Sequence, residues 1–462
     1  MPDRSIDWLR WLFYLMAGVP LVVWIFFVRD RVLRLVAVVG LTIFIQDSFA
    51  GRRYFWAFSL GPSLIGAYLA LLSQVFEQRR LPNVGAYGLL WGGLLFAGAV
   101  SIIAGSIGTP FLQVHVKAFQ FCWLEGFVFF LYGTMALAKP EQVRSFFKWM
   151  VVFGIGIALS HFFVAATGYR FRGSSAAVAT DVYYGGVLDN GNSLGSYYVL
   201  GIPTTLALAV TRSTSQQMRL VCYGALILMT GSLMLTGSRG GLLFTIVTLG
   251  LLPTVTGARV GRLAIAGFLG AIFAVGGWMV ISTFLGSPLQ QVLEIAKEEG
   301  TETSRFANFL AYFKIMLDHP LGNGMAPEAM GRAARLHGVF MTSAHNIYLD
   351  VGTQTGFVGL GLFVAMMLSL LLRTRRASRL ADDPIARESL GYLFLGLAGL
   401  LLVGFFQPIL ASSNKLNNIF WLLAGLSLGA TNQVFAARRA VSARPSYTPA
   451  EAPALHAHAP RA

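Results

Sequence analysis

The chain has 462 residues, of which 55% are hydrophobic and 12% charged. Soluble domains carry about 25% charge, so a soluble globular fold is excluded, and repeated apolar runs of about 20 residues indicate a helical membrane protein. The net charge of +15 reads as topogenic arginine and lysine in cytoplasmic loops, not as a nucleic-acid surface.

A lipid-facing barrel would need alternating strands, and no such alternation occurs. Apolar windows run over 11–28, 34–50, 54–76, 84–105, 111–138, 146–167, 193–211, 218–236, 240–256, 262–285, 346–372, 389–410 and 414–435. The first has no A-x-A-like cleavage site after it and reads as an uncleaved signal anchor. Cys122 and Cys222 both fall inside windows, which argues against a disulfide framework or a cysteine metal site.

Basic runs at 77–80, 139–148, 211–219, 257–262, 373–379 and 437–440 are assigned to the cytoplasm. Segments 168–192, 237–239 and 286–345 then share the opposite, periplasmic face. Counting every window as a crossing puts the N-terminus outside, yet Arg4, Arg10 and the arginines of 29–34 look cytoplasmic. One early window is therefore expected not to cross, leaving about twelve spans with both ends inside. The expected fold is an all-α polytopic membrane protein. Residues 1–285 would form membrane helices with short loops, 286–345 a periplasmic catalytic loop and 346–435 the last membrane helices. The Ala/Pro-rich tail, 436–462, would be disordered.

Three external segments carry chemistry. The first, 168–198, holds Arg170 and Arg172 and then a Gly/Asn-rich run into a helix that Asn190 or Asn192 can cap. Free N–H groups at that helix start suit an anion; an ordinary capped loop is the alternative. The second is the short break TGSRGG at 236–241. Burying the Arg239 guanidinium at a membrane boundary is costly without a partner, and no acid lies nearby in sequence. An anionic ligand would supply the counter-charge; otherwise Arg239 snorkels or pairs with a distant carboxylate.

The third is the large polar loop. Ser304 or Thr303 is expected to cap a helix ending near Asp318 and stopped by Pro320. Its apolar stripe is Phe306, Phe309, Leu310, Phe313, Met316 and Leu317, and it is pictured lying along the membrane surface. Arg305, Asn308 and Tyr312 share another face. A Gly-rich turn, HPLGNGM, leads to a short helix from about 327 to 336 with Arg332 and Arg335. In SAHNIYLD, Ser343 or Thr342 is expected to cap the next membrane helix. His345 would then lie in its first turn, where the helix dipole keeps imidazole neutral and able to accept a proton. A polar cap residue at the interface is the alternative.

These residues resemble the O-antigen ligase/polymerase superfamily of bacterial envelope glycosyltransferases. The matching pieces are SRGG at 238–241, Ser304-Arg305, HPLGNGM at 319–325, HNIYLD at 345–350 and GFVGLGLF at 356–363. The resemblance covers roughly 190 through 365 and implies a GT-C-like architecture. It also implies a metal-independent transfer from undecaprenyl diphosphate, without cofactor. Arg239 and Arg305 would bind the diphosphate and His345 would act as general base. Arg170, Arg172, Asn192, Tyr312, His337 and Asn346 are further candidate contacts for donor or glycan.

Diphosphate is a good leaving group that needs charge neutralisation, which two arginines provide by bidentate hydrogen bonds. A sugar hydroxyl needs a base. A single displacement predicts inversion. The spacing of His319, His337 and His345 matches no common zinc pattern. The acceptor expected is lipid A-core, with the chain an inner-membrane monomer embedded in lipid. Alternatives are a polymerase or a pilin glycan ligase. In another class stands a small-anion transporter filtered by the arginines, for which the spans offer few polar residues beyond Gln74, Gln120 and Glu125.

Overall fold

The computed structural model describes residues 19–45, 62–107, 112–137, 139–167, 186–188, 191–236, 238–257, 300–339, 342–410 and 414–442, with scattered helical residues between 260 and 270. The chain is an all-α polytopic membrane protein. Among the described residues, 9 helices are long and apolar enough to cross a membrane. Their large exposed side chains, such as Leu89, Phe96, Ile227 and Val358, are apolar. Such a surface suits lipid rather than water.

Among the described residues, three shorter helices come first: α1 (Val19–Phe27), α2 (Arg31–Gly40), which runs on as a π-turn over Leu41–Ile45, and α3 (Pro62–Gln78). The question of which early window fails to cross falls partly on residues outside those described. Then come α4 (Ala86–Ser106), α5 (Leu112–Ala136), α6 (Pro140–Thr167), α7 (Gly191–Val210), α8 (Gln216–Leu235) and α9 (Arg239–Leu249), which a short turn extends to Thr256. Beyond lie α10 (Gly300–Asp318), α11 (Pro327–Leu336), α12 (Ile347–Leu380), α13 (Pro384–Val403) and α14 (Asn414–Ser442).

Side-chain hydrogen bonds sort the turns between two ends of the bundle. At one end, Ser389 donates to the Pro140 carbonyl, Arg144 to Thr214, Ser213 to Glu388 and Arg438 to Asp382. Arg34 also pairs there with Glu77 at the end of α3. This basic end gathers the arginine-rich runs. The other end holds the starts of α7, α9 and α12, the whole of α10 and α11, and the turn after α13.

Two boundaries differ from the sequence reading. Helix α12 continues to Leu380, so the basic run 373–379 is helical; arginine and alanine are good helix formers. Likewise α14 continues to Ser442, seven residues into the tail expected to start at Ala436. Arg439 in its last turn complements the helix dipole.

Candidate active site

Arg239 is the first residue of α9. The Ser238 side chain caps the helix by accepting from the Gly241 N–H at 3.2 Å. Ser238 also donates to the Asn192 side-chain oxygen at 3.4 Å. Asn192 lies inside the first turn of α7, not at its cap. The starts of α7 and α9 are packed tightly, since a Cβ on Gly241 would lie 2.8 Å from the Gly195 Cα. Two positive helix ends therefore sit side by side. Arg239 itself is exposed, so the expectation of a buried guanidinium is corrected: Ser238 and the glycines fill the helix crossing and Arg239 projects from it.

The polar loop folds onto the same end. Helix α10 begins at Gly300, four residues before the expected cap, and ends at Asp318 as expected. Arg305 lies on it one turn before Phe309. Its apolar stripe is the outer face, apart from buried Met316 and half-buried Phe309, and the face of Asn308 and Tyr312 is enclosed. Asn308, Ala311, Tyr312, Ile315 and Met316 are buried. Phe306, Leu310, Phe313 and Leu317 are exposed, Phe306 at 74%. Tyr312 is enclosed with Ile315, Met330, Ala333, Ala334 and Ala344. Burial, then the Asp350 carboxylate, holds its phenol well above the ordinary value. Its position is a packing one, with no surface offered to a substrate.

The Gly-rich turn is an anchor. Gly324 N–H donates to Ser101 Oγ of α4 at 2.8 Å, and the Met325 and Ala326 N–H groups both donate to His115 Nδ1 of α5, at 2.8 and 3.0 Å. Asn323 N–H reaches the Thr353 carbonyl, and Phe357 N–H reaches that of Pro320. The last contact uses a break in α12 at Gly356, whose φ is 72°. His337 Nε2 lies 3.2 Å from Asp318 Oδ2, joining the end of α11 to the end of α10. His319, His337 and His345 do not gather; among the described residues no three His, Cys, Asp or Glu side chains do.

The segment before α12 departs from the expected cap. Asn346 caps the helix, accepting from the Tyr348 and Leu349 N–H groups at 2.9 and 3.1 Å. Its amide donates to the Phe405 carbonyl at 3.0 Å, so its polar atoms are committed to the fold. His345 precedes the cap instead of sitting in the first turn, with a left-handed backbone at φ 53°. A turn three residues long, 343–345, therefore lifts it off the helix. Asp350 Oδ1 accepts from the Ala344 N–H at 2.7 Å and its Oδ2 accepts from Ser343 Oγ at 2.9 Å. Ser343 Oγ in turn accepts from the His345 N–H at 3.1 Å. From α10, Asn308 donates to the Ser343 carbonyl at 3.0 Å.

What joins these pieces is the turn after α13, at 404–407. The Ile347 N–H donates to the Gly404 carbonyl at 2.7 Å. Phe406 packs on Phe244 of α9 and on Phe309 of α10, with ring centroids 5.5 and 5.9 Å apart. Gly240, next to Arg239, faces Gln407 and Phe406. The backbone positions of Arg239, Arg305 and His345 are thus drawn around one turn. Sequence reading missed this turn and Asp350, took Ser343 for a helix cap, and placed Asn308 on the face of Arg305 and Tyr312 without a partner. A glutamine and a proline, Gln407 and Pro408, interrupting an apolar window were the signal available. Arg170 and Arg172 lie outside the described residues.

Residues 224–364 match the family described as O-antigen ligase. This segment, about a third of the chain, is similar to the O-antigen ligase/polymerase superfamily. The match takes in Arg239, Arg305 and His345, and also α10, α11 and the bent first half of α12. It implies a glycosyltransferase-like enzyme acting on lipid-linked glycans. No curated protein matches the chain.

Proposed function

We propose that the protein is an O-antigen ligase of the inner membrane, transferring O-polysaccharide from undecaprenyl diphosphate to a sugar hydroxyl of lipid A-core on the periplasmic face. The observation that supports this is that the 404–407 turn touches α9 at Gly240 and Phe244, α10 at Phe309 and the Asn346 cap beside His345.

In the reaction the acceptor oxygen attacks the anomeric carbon as the bond from that carbon to the diphosphate oxygen breaks. The acceptor proton passes to His345, and undecaprenyl diphosphate leaves with its charge held by Arg239 and Arg305. The displacement is direct and inverts the anomeric centre, and no metal is needed for it. Positive helix ends at α7 and α9 add to the field that receives the diphosphate. The exposed apolar stripe of α10, at Phe306, Leu310, Phe313 and Leu317, gives the polyprenyl chain and surrounding lipid a face to lie on.

Purified protein is mixed with undecaprenyl-diphosphate glycan and lipid A-core, with and without chelator. Glycan-bearing lipid A-core is expected in both. His345→Ala is expected to lower the rate about 10²–10⁴-fold, and decoration at normal levels by that variant sinks the base assignment. In cells, deletion is expected to leave lipid A-core without any repeat unit; a single repeat unit on the core would mark a polymerase instead.

A further inference from the structure

We infer that Asp350, acting through Ser343, is a positioning residue that holds His345 in its working conformation; the inference rests on His345 serving as base. The hydrogen bonds leave little freedom. Asp350 sits one turn into α12 and is buried. Its two oxygens take separate donors, the Ala344 N–H at 2.7 Å and the Ser343 hydroxyl at 2.9 Å. The Ser343 oxygen, its proton committed to the carboxylate, presents a lone pair to the His345 N–H at 3.1 Å. A chain of hydrogen bonds thus runs from the carboxylate to the backbone of the base.

The need for such a brace is visible in the backbone. A histidine with φ 53° occupies a region that disfavours side chains with a Cβ, and it persists only where neighbours over-determine it. Helix α12 provides the carboxylate, and α10 provides Asn308 on the other side of Ser343. An acid is suited to this position. Its two oxygens accept separately from the Ser343 hydroxyl and the Ala344 N–H.

The test measures kcat and donor KM for Asp350→Ala, Asp350→Asn, Ser343→Ala, Ser343→Thr, the Ser343→Ala/Asp350→Ala pair and His345→Ala, in the purified transfer assay. Expected are losses in kcat of about 10- to 100-fold for Asp350→Ala and Ser343→Ala with donor KM within about twofold, since the diphosphate contacts are untouched. Ser343→Thr, which keeps the hydroxyl, should recover most of the rate. The double variant should be no slower than Asp350→Ala alone, because both break one chain. Asp350→Asn is isosteric and should fold even where Asp350→Ala does not; it should show a smaller loss, again in kcat. Full kcat in Asp350→Asn and Ser343→Ala alongside an inactive His345→Ala overturns the positioning role and leaves the base intact. Additive losses, or equal losses in KM, overturn it as well. An active His345→Ala protein overturns both readings.

Discussion

At the scale of single residues, the site depends on backbone conformations that side chains must protect. Asn346 ends the run of strain begun at His345 by capping α12 and tying it to Phe405. Replacing it with alanine should destabilise the fold by about 1–2 kcal/mol, while serine, which still caps, should cost less. Unfolding in graded SDS, followed by helicity, would separate the two; equal stability of all three proteins would refute the cap. Gly356 is more demanding. Its φ of 72° breaks α12, and the gap receives the backbone of Pro320 and Leu321. A methyl group there meets those backbone atoms, which cannot give way cheaply. Gly356→Ala should cost roughly 1–3 kcal/mol from conformation alone, with the overlap adding to it. Gly361, with open space around it, is the control. If Gly356→Ala proves as stable and as active as Gly361→Ala, the bend is not required.

At the scale of helices, polar side chains are spent on repairing irregular backbone inside the membrane. Helix α5 contains a π-turn at Gln120–Leu124, which disturbs the regular carbonyl pairing. Asn417 of α14 donates to the Phe121 and Cys122 carbonyls at 2.9 and 3.2 Å. The neighbouring crossing is glycine-lined: Gly133 faces the backbone of Leu422 and Gly425, and Gly429 faces Thr134. Small residues allow this approach, so α14 cannot withdraw to hide the defect. Asn417→Leu should lose about 1–3 kcal/mol by stranding buried acceptors, measured by the same SDS unfolding; an unchanged midpoint would show that the carbonyls find other partners.

This scale also shows what the sequence can and cannot reveal. Long apolar windows gave α4 through α9 and α12 through α14 because the bilayer sets one length and one composition for all of them. HPLGNGM announced a turn through its glycines, and Pro327 announced the start of α11. Which face of α10 is enclosed follows from the medium around it. Apolar stripes mark the protein core only when water is the outside medium; beside lipid, Asn308 and Tyr312 are the groups that must be enclosed. Asn346 was named as a candidate substrate contact, and in the fold its oxygen caps α12 while its amide reaches the Phe405 carbonyl. The 404–407 turn stayed hidden because contacts between α9, α10 and α13 are remote in sequence.

At the scale of the whole molecule, the proposal requires a direction. The charge pattern supplies one: arginines crowd the end where 79–80, 144, 212–219 and 373–379 lie, which predicts a cytoplasmic location by the positive-inside tendency. The end carrying α10, α11 and the His345 turn would then face the periplasm, where nucleotide sugars are absent and a lipid must deliver the glycan. Two exposed positions report on this. Leu336 ends α11 and is 86% exposed, and Val441 lies near the end of α14 at 70%. The native thiols, Cys122 and Cys222, are both buried, so added cysteines stand against a low background. Leu336→Cys should react with a membrane-impermeant maleimide once the outer membrane is opened, with the inner membrane intact. Val441→Cys should react only after the inner membrane is broken. The reverse pattern would put the arginine-and-histidine end in the cytosol, away from any exported glycan, and a ligase could not operate there whatever its residues.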